Sequence, residues 1–498
     1  MNMLLHSIPA LHALFPEVLV AGGGLLALAL DLSVLRACTM RVRRACAAWL
    51  GVAACIAAVT WLLHAHAQTS AAGGMLAANS LTALVQIAVL VLTTGVLLLW
   101  MDARTAHHAG ESVLLILFAT VGMLLLVVAQ DLLLIFLSLE LLSLPLYILT
   151  ALDARRDVDG VSSSAHAAEA GLKYFLFGGV SSAMLLFGFS LLYGLASSTR
   201  LASIALAVQA APLQPLLLVA TALIVAGLGF KIAAAPFHFW APDVYEAAPA
   251  PSAALIASGS KIAAFFLFFQ IFTLGLAHAR GWTLMLAAIA ALSMLLGSLA
   301  ATVQSRVRRL LAYSAVAHAG YMLLAFLPGT RANLAALLFY VVTYALAVLG
   351  FFGVAAVMEN AGVGDRLESW NGLSRRSPFL AGSAAIFLFS LAGVPPLAGF
   401  FGKFYLFAAV LQNASAAAIS LWLVVLAIAM SAVALYYSLR ILKPVFVADP
   451  AAGAGAIPIP WIRRILLALL AAAVIILGCA PQLLLRWILC AVQNAGLR

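Results

Sequence analysis

The chain has 498 residues, of which 66% are apolar and only 8% charged, with a mean hydropathy of +1.15. So few charges cannot cover the surface of a soluble domain of this length, which makes the chain a polytopic membrane protein. The net charge of +10 does not require a nucleic-acid partner, because the arginines sit in short loops between apolar runs, where orientation in a bilayer explains them.

Windows of roughly 20 apolar residues, the length that crosses the hydrocarbon layer, fall near 14–32, 45–63, 80–100, 112–129, 131–151, 170–194 and 214–235. Seven more fall near 252–275, 282–301, 309–328, 333–358, 379–411, 417–442 and 461–485. No run reads convincingly as a strand, so the expected fold is all-α, with about 14 transmembrane helices. Glu17 interrupts the first apolar run and no basic region precedes it, so a retained first helix is expected rather than a signal peptide.

Alternating the loops, with the N-terminus outside, places 17 of the 26 Lys and Arg residues on the cytoplasmic side and 5 outside. That bias predicts both termini on the periplasmic side of a bacterial inner membrane. The remaining 4 are lysines inside apolar segments: Lys173, Lys231, Lys261 and Lys403. Arginine serves topology and lysine the interior, a division with a chemical sense. A desolvated lysine can release its proton, whereas arginine effectively cannot.

Cys38, Cys46, Cys55, Cys479 and Cys490 form no CxxC pair, and no metal-ligand pattern or nucleotide-binding glycine fingerprint stands out. No cofactor or metal is expected on this chain.

In chain order, the fifth helix carries Glu140 near its centre, a carboxylate that must either neutralise or find a cation. The sixth begins with Glu169 and Lys173 four residues apart, a spacing that offers Lys173 a local partner. For Lys173 a structural reading stands beside the functional one. The seventh runs into Lys231, breaks at Pro236 and passes His238. The eighth then starts after Pro249 and Pro251 and carries Lys261. A lone ammonium at mid-bilayer costs from ~3 to over ~10 kcal/mol, and irregular backbone survives there only inside protein or beside water. This stretch, 227–261, therefore reads as part of an ion path.

The tenth helix places Ser314, His318 and Tyr321 on one face, with His318 either a relay or a hydrogen-bonded core residue. The twelfth repeats the logic of the seventh, broken at Pro395-Pro396 with Lys403 just beyond. Helices 4–8 and 9–13 then form two inverted five-helix repeats with broken helices 7 and 12. The expected organisation is 1–111, an N-terminal three-helix segment; 112–275 and 276–443, the two repeats; and 444–498, a C-terminal helix.

Four stretches carry a family resemblance: LELLSLPLYIL around Glu140, KIAAAPFHFWAPDVYEAAPAPSAA from Lys231, RLLAYSAVAHAGYM around His318, and SLAGVPPLAGFFGKFY past Lys403. They resemble the antiporter-like membrane subunits of respiratory complex I, the proton-pumping NADH–quinone oxidoreductase, and within them the subunit N type. The PDVYEAAP wording and Lys403 favour that type; Ala247 stands where the family more often has glycine. The resemblance implies that Glu140 pairs with Lys231, that Lys261 is a central relay, and that Lys403 lies nearest the periplasmic exit. Lys173 and His238 would be secondary members. It also implies partners, the other membrane-arm subunits of the complex, and places NADH, FMN, iron–sulfur clusters and quinone in partner subunits rather than on this chain. Alternatives are a subunit of a multisubunit cation/proton antiporter or of a hydrogenase-type membrane complex, and a non-pumping structural or quinone-contacting subunit, against which stand four buried lysines and the lack of a clear aromatic–histidine cluster for a quinone.

Overall fold

The computed structural model describes residues 12–64, 69–103, 108–152, 163–210, 214–277, 279, 281–327, 330–412, 417–450 and 453–495. The first six helices are α1 (Phe15–Leu32), α2 (Met40–His64), α3 (Ser80–Met101), α4 (Ala109–Val128), α5 (Leu132–Leu152) and α6 (Ser163–Ala196). Two helices in pieces follow: α7a (Pro215–Lys231) with α7b (Trp240–Ala247), and α8a (Ala250–Ala257) with α8b (Gly259–Phe269). Then come α9 (Trp282–Thr302), α10 (Val307–Leu323), α11 (Arg331–Asn360), α12a (Pro378–Ala392), α12b (Ala398–Gln412), α13 (Ala417–Phe446) and α14 (Trp461–Cys479). Among the described residues, twelve helices are long and apolar enough to cross a membrane, and the pieces of α7 and α12 are shorter. Hydrocarbon offers the backbone no partner, so apolar sequence closes its hydrogen bonds within helices. Of the arginines used to orient the chain, Arg104, Arg155, Arg156, Arg280 and Arg498 lie outside the described residues.

Local chemistry sets the helix ends. Asn79 caps α3, its side chain accepting from the amides of Leu81 and Thr82, while Thr82 Oγ1 accepts from the Asn79 amide at 2.8 Å. The breaks in α7 and α12 share one device. Ala234 N donates to Gly229 O and Ala233 N to Phe230 O; Val394 N donates to Phe389 O and Gly393 N to Ser390 O. Both helices thus end in a Schellman motif, which needs a left-handed residue at its corner. Gly393 supplies it at φ 88°, and Ala233 takes it at φ 57°.

Three elements depart from the sequence reading. A small hairpin, β1 (Thr69–Ala71) with β2 (Leu76–Ala78), lies between α2 and α3. A short helix, Leu201–Ala210, follows α6. The final apolar run, expected to continue to 485, stops at Cys479. Pro481 cannot extend it, and the separate α15 (Gln482–Asn494) begins there.

The α8 segment is buried along its whole length, and α10 and α11 nearly so, whereas α13 mostly faces outward. The ionisable residues of α8 and α10 therefore sit at the centre of the bundle. The division of arginine for topology and lysine for the interior needs correction. Arg308 and Arg463 are buried, held respectively by Glu359 and by the carbonyls of Leu99 and Ala356.

Candidate functional site: a buried line of lysines

Glu140 and Lys231 lie on facing helices, α5 and α7a, and Lys231 feels the field of the Glu140 carboxylate. They do not touch. Glu140 accepts a hydrogen bond from Ser182 of α6 at 2.5 Å, while Lys231 Nζ donates to Ser143 Oγ at 2.6 Å and to Tyr147 Oη at 3.4 Å. Helical spacing places Glu140, Ser143 and Tyr147 on one face of α5, so they form successive rungs along which an ammonium can shift. The expected direct Glu140–Lys231 pair is thus not formed; each group is satisfied by a serine hydroxyl instead. Glu140 is only half-buried, on the side of α5 where Leu133, Leu137 and Leu144 are exposed.

Lys261, at 1% exposure, sits in the first turn of α8b, just beyond the kink at Ser258. Its Nζ donates to Ala315 O of α10 at 2.6 Å and lies 5.3 Å from the centre of the Tyr344 ring. His318 is one turn further along α10. Its Nδ1 shares a 2.7 Å hydrogen bond with Tyr340 Oη, its Nε2 is buried without a partner, and the fields of Lys261 and Lys403 both reach it. Lys403 occupies the α12 break: Nζ donates to Ala392 O at 2.9 Å and Ser431 Oγ at 2.7 Å, and lies 5.0 Å from the centre of the Tyr321 ring. Ser314, expected on the face of His318 and Tyr321, accepts from Tyr437 at 2.9 Å.

Among the described residues, Lys261 and Lys403 have no carboxylate partner; each ammonium is held by neutral oxygens and a ring face. Such a seat orients the side chain without the deep well of an ion pair, which suits a group that must both take and release a proton.

The remaining two predicted residues sit apart from this line. His238 is buried in the α7 break with Nδ1 lacking a partner, and no hydrogen bond links it to Lys231 or Lys261. Lys173 is partly exposed and bridges Glu169 (2.7 Å) and Asp243 (3.1 Å). Asp243 in turn pairs with Arg309 at 2.7 Å, and Glu246 with Arg309 and Arg306. Lys173 therefore belongs to a charge network at one end of the bundle.

Ser143, Tyr147, Ser182, Tyr340 and Tyr344 went unrecognised in the sequence. Two of them were detectable: Ser143 and Tyr147 stand three and seven residues after Glu140. The others come from remote helices, and nothing local marks them.

Near that network, Asp365 lies in the loop between α11 and the turn Leu367–Trp370, with Arg308 Nε at 3.7 Å. Burial pushes its carboxyl up to about 7, opposed by Arg308 and reinforced by Glu246. A folded value above the unfolded one favours folding through the protonated form. That contribution is complete below about pH 4 and is lost as pH rises through about 7. The melting temperature of the wild type is therefore expected to fall relative to Asp365→Asn across that window in detergent, and a constant difference would contradict it.

Among the described residues, no group of three or more His, Cys, Asp or Glu side chains is placed to hold a metal.

Residues 129–431 match the family described as NADH:quinone oxidoreductase/Mrp antiporter, TM. Over 96% of this chain and 98% of the relative, the sequence is 50% identical to NADH-quinone oxidoreductase subunit N 2 of Acidobacterium capsulatum. The structure is similar to a chain of respiratory complex I from Thermus thermophilus with bound aureothin, at a TM-score of 0.77 and 33% identity, covering 95% of this chain and 98% of that one. It also shares its fold with a chain of the Mrp complex from Dietzia sp. DQ12-45-1b, at a TM-score of 0.79 and 22% identity, covering 98% and 97%.

Proposed function

The chain belongs to the NADH:quinone oxidoreductase/Mrp antiporter transmembrane family, and from that premise we propose that it is a proton-translocating membrane-arm subunit of an NADH–quinone oxidoreductase. The observation that carries the reading is the seating of Lys231, Lys261 and Lys403, three lysines at helix ends or breaks held by hydroxyls, carbonyls and rings rather than by carboxylates. NADH, flavin, iron–sulfur clusters and quinone belong to partner subunits in this reading. The redox reaction there supplies the ~2.3 kcal/mol per 100 mV that each charge needs to cross.

Glu140 sets the first step. With its carboxylate drawn toward Lys231, the ammonium form is held; with Glu140 on Ser182, Lys231 becomes the acid. Its proton moves toward Lys261, with His238 and water in the α7 break as intermediaries, then past His318 to Lys403 and out. The half-buried Glu140, among exposed leucines, faces a neighbouring membrane subunit, which spares the carboxylate from lipid. The site line runs through two inverted five-helix units, 112–275 and 276–443, flanked by 1–111 and 444–498. The matching Schellman ends of α7a and α12a support that division. Lys173 joins this function as part of the charge network at the entry end. The setting is a bacterial inner membrane with both termini on the periplasmic side, which the arginine bias supports.

The test is NADH-driven proton uptake into inverted vesicles carrying Lys231→Ala, with quinone reduction measured alongside. Uptake and turnover both falling in assembled complex supports the path; both unchanged makes Lys231 structural. Cation/proton antiport is a second reading, favoured by the fold shared with the Mrp complex, and it requires sodium exchange without NADH.

Ser182→Ala tests the switch itself. A hydrogen bond to a charged group is worth ~1.5–3 kcal/mol, so its loss shifts Glu140 toward Lys231. Coupled turnover is expected to fall about tenfold, with Ser182→Thr close to wild type. Equal activity of the two variants would remove Ser182 from the mechanism.

A further inference from the structure

A cavity of about 700 Å³ lies at the arginine-rich end of the bundle, away from the lysine line. It is enclosed by the start of α2, the ends of α3 and α11, the segment after α13 and the first turn of α14. Arg41, Arg44, Arg376 and Arg463 line it, with Asp102 the one carboxylate among the described lining residues. Four guanidiniums around one carboxylate leave an excess of positive charge in a recess built by protein.

The four do different work. Arg463 is fully buried and donates to Leu99 O at 2.6 Å and Ala356 O at 3.2 Å, which ties α14 to the C-terminal carbonyls of α3 and α11. Arg44 donates to Ala103 O and to Met40 O. Arg376 donates to Gly455 O at 3.2 Å, and so holds the segment that closes the cavity. Arg41, at the first turn of α2, is exposed. Arg44 and Arg376 are thus oriented by carbonyl oxygens, while Arg463 also lies beside the Asp102 carboxylate, Nε to Oδ2 at 4.0 Å.

We propose that this cavity binds the phosphodiester headgroup of an anionic membrane phospholipid. Guanidinium forks match phosphate oxygens in pairs, and basic pockets between transmembrane helices on the cytoplasmic side accept such headgroups. The surroundings select a lipid over a free ion. The wall includes Met101, Ile457 and Ile459, and Trp461, 69% exposed directly after the lining residue Pro460, marks the bilayer interface beside the mouth. Arg464, next in sequence to the lining residue Arg463, lies 5.4 Å from the Phe379 ring centre. Phosphate thus meets arginine inside the recess while the acyl chains remain in the bilayer.

The experiment uses phosphatidylglycerol with a photoreactive headgroup, added to membranes that contain the assembled complex, followed by purification and mapping of the labelled peptides. Labelling is expected on the segment 453–461. The double variant Arg41→Gln/Arg376→Gln should lower it about tenfold, and Arg41→Lys/Arg376→Lys, which keeps both charges, should retain most of it. If the glutamine variant fails to assemble, the lysine pair and a phosphatidylcholine probe decide. Loss of labelling in the lysine pair, or equal labelling by phosphatidylcholine, overturns the proposal. Unchanged labelling in the glutamine variant does so as well. Displacement by inorganic phosphate as effective as by unlabelled phosphatidylglycerol would make this a site for small anions and overturn the lipid assignment.

Discussion

Lys261→Met is expected to reduce NADH-driven proton uptake about tenfold or more, the scale of losing a positioned proton-transfer group, and quinone turnover should fall with it. Methionine is close to lysine in length, so the side-chain volume in fully buried α8b is preserved and no cavity opens. What disappears is the ammonium between Ala315 O and the Tyr344 ring. The more telling variant is Lys261→Arg. It keeps a positive charge in the same place, and the guanidinium still finds the Ala315 carbonyl, but arginine does not give up its proton. If the charge only stabilises the bundle, Lys261→Arg is active and Lys261→Met is not. If Lys261 passes a proton, both fail. Assembly, followed by the amount of complex recovered from each membrane, separates this from misfolding. An active Lys261→Arg would sink the relay reading at its centre.

Why Lys261 could be found in the sequence and Ser182 could not follows from what each residue costs. An ammonium in an apolar run is conspicuous because nothing except function or a dedicated partner keeps it there, and the same holds for Glu140, Lys231 and Lys403. A serine in a membrane helix costs little, since its hydroxyl can return to the carbonyl one turn back, as Ser143 does to Leu139 and Ser258 to Ala254. Its use by Glu140 depends on how α5 and α6 pack. Lys173 shows the opposite case: the Glu169 spacing was legible and the contact is present, but Asp243, seventy residues away, completes its environment. The helices were legible because hydrocarbon forces one solution on apolar sequence. The hairpin at Thr69–Ala71 and the separate α15 lie at the ends of the bundle, where water removes that constraint and individual residues such as Pro481 decide.

Gly399→Ala is expected to destabilise the protein by about 1–3 kcal/mol, the usual range for overpacking, and to lower the amount of assembled complex. A methyl at Gly399 would run into the backbone carbonyl oxygen of Ser390 and stand 2.7 Å from its carbon. No rotamer relieves such a contact, because the obstacle is main chain. The same glycine donates its amide to Ser390 Oγ at 3.1 Å, so α12b is held against α12a from both sides of the break. The break has little freedom to give way, since a methyl at Gly478 of α14 would likewise meet the Pro396 carbonyl. Forcing α12b outward moves Lys403 away from Ala392 O, its acceptor at the end of α12a, so the loss should extend to proton uptake per complex as well as to yield. Gly382→Ala, across the break in α12a, is the control: nothing lies within 4 Å of its added methyl, and helix propensity favours alanine there by roughly 0.5–1 kcal/mol. Thermal melting of the purified complex should therefore separate the two variants in opposite directions. Equal melting temperatures would mean that the α12 break yields to the added methyl, and that Lys403 does not depend on the tight clasp at Gly399.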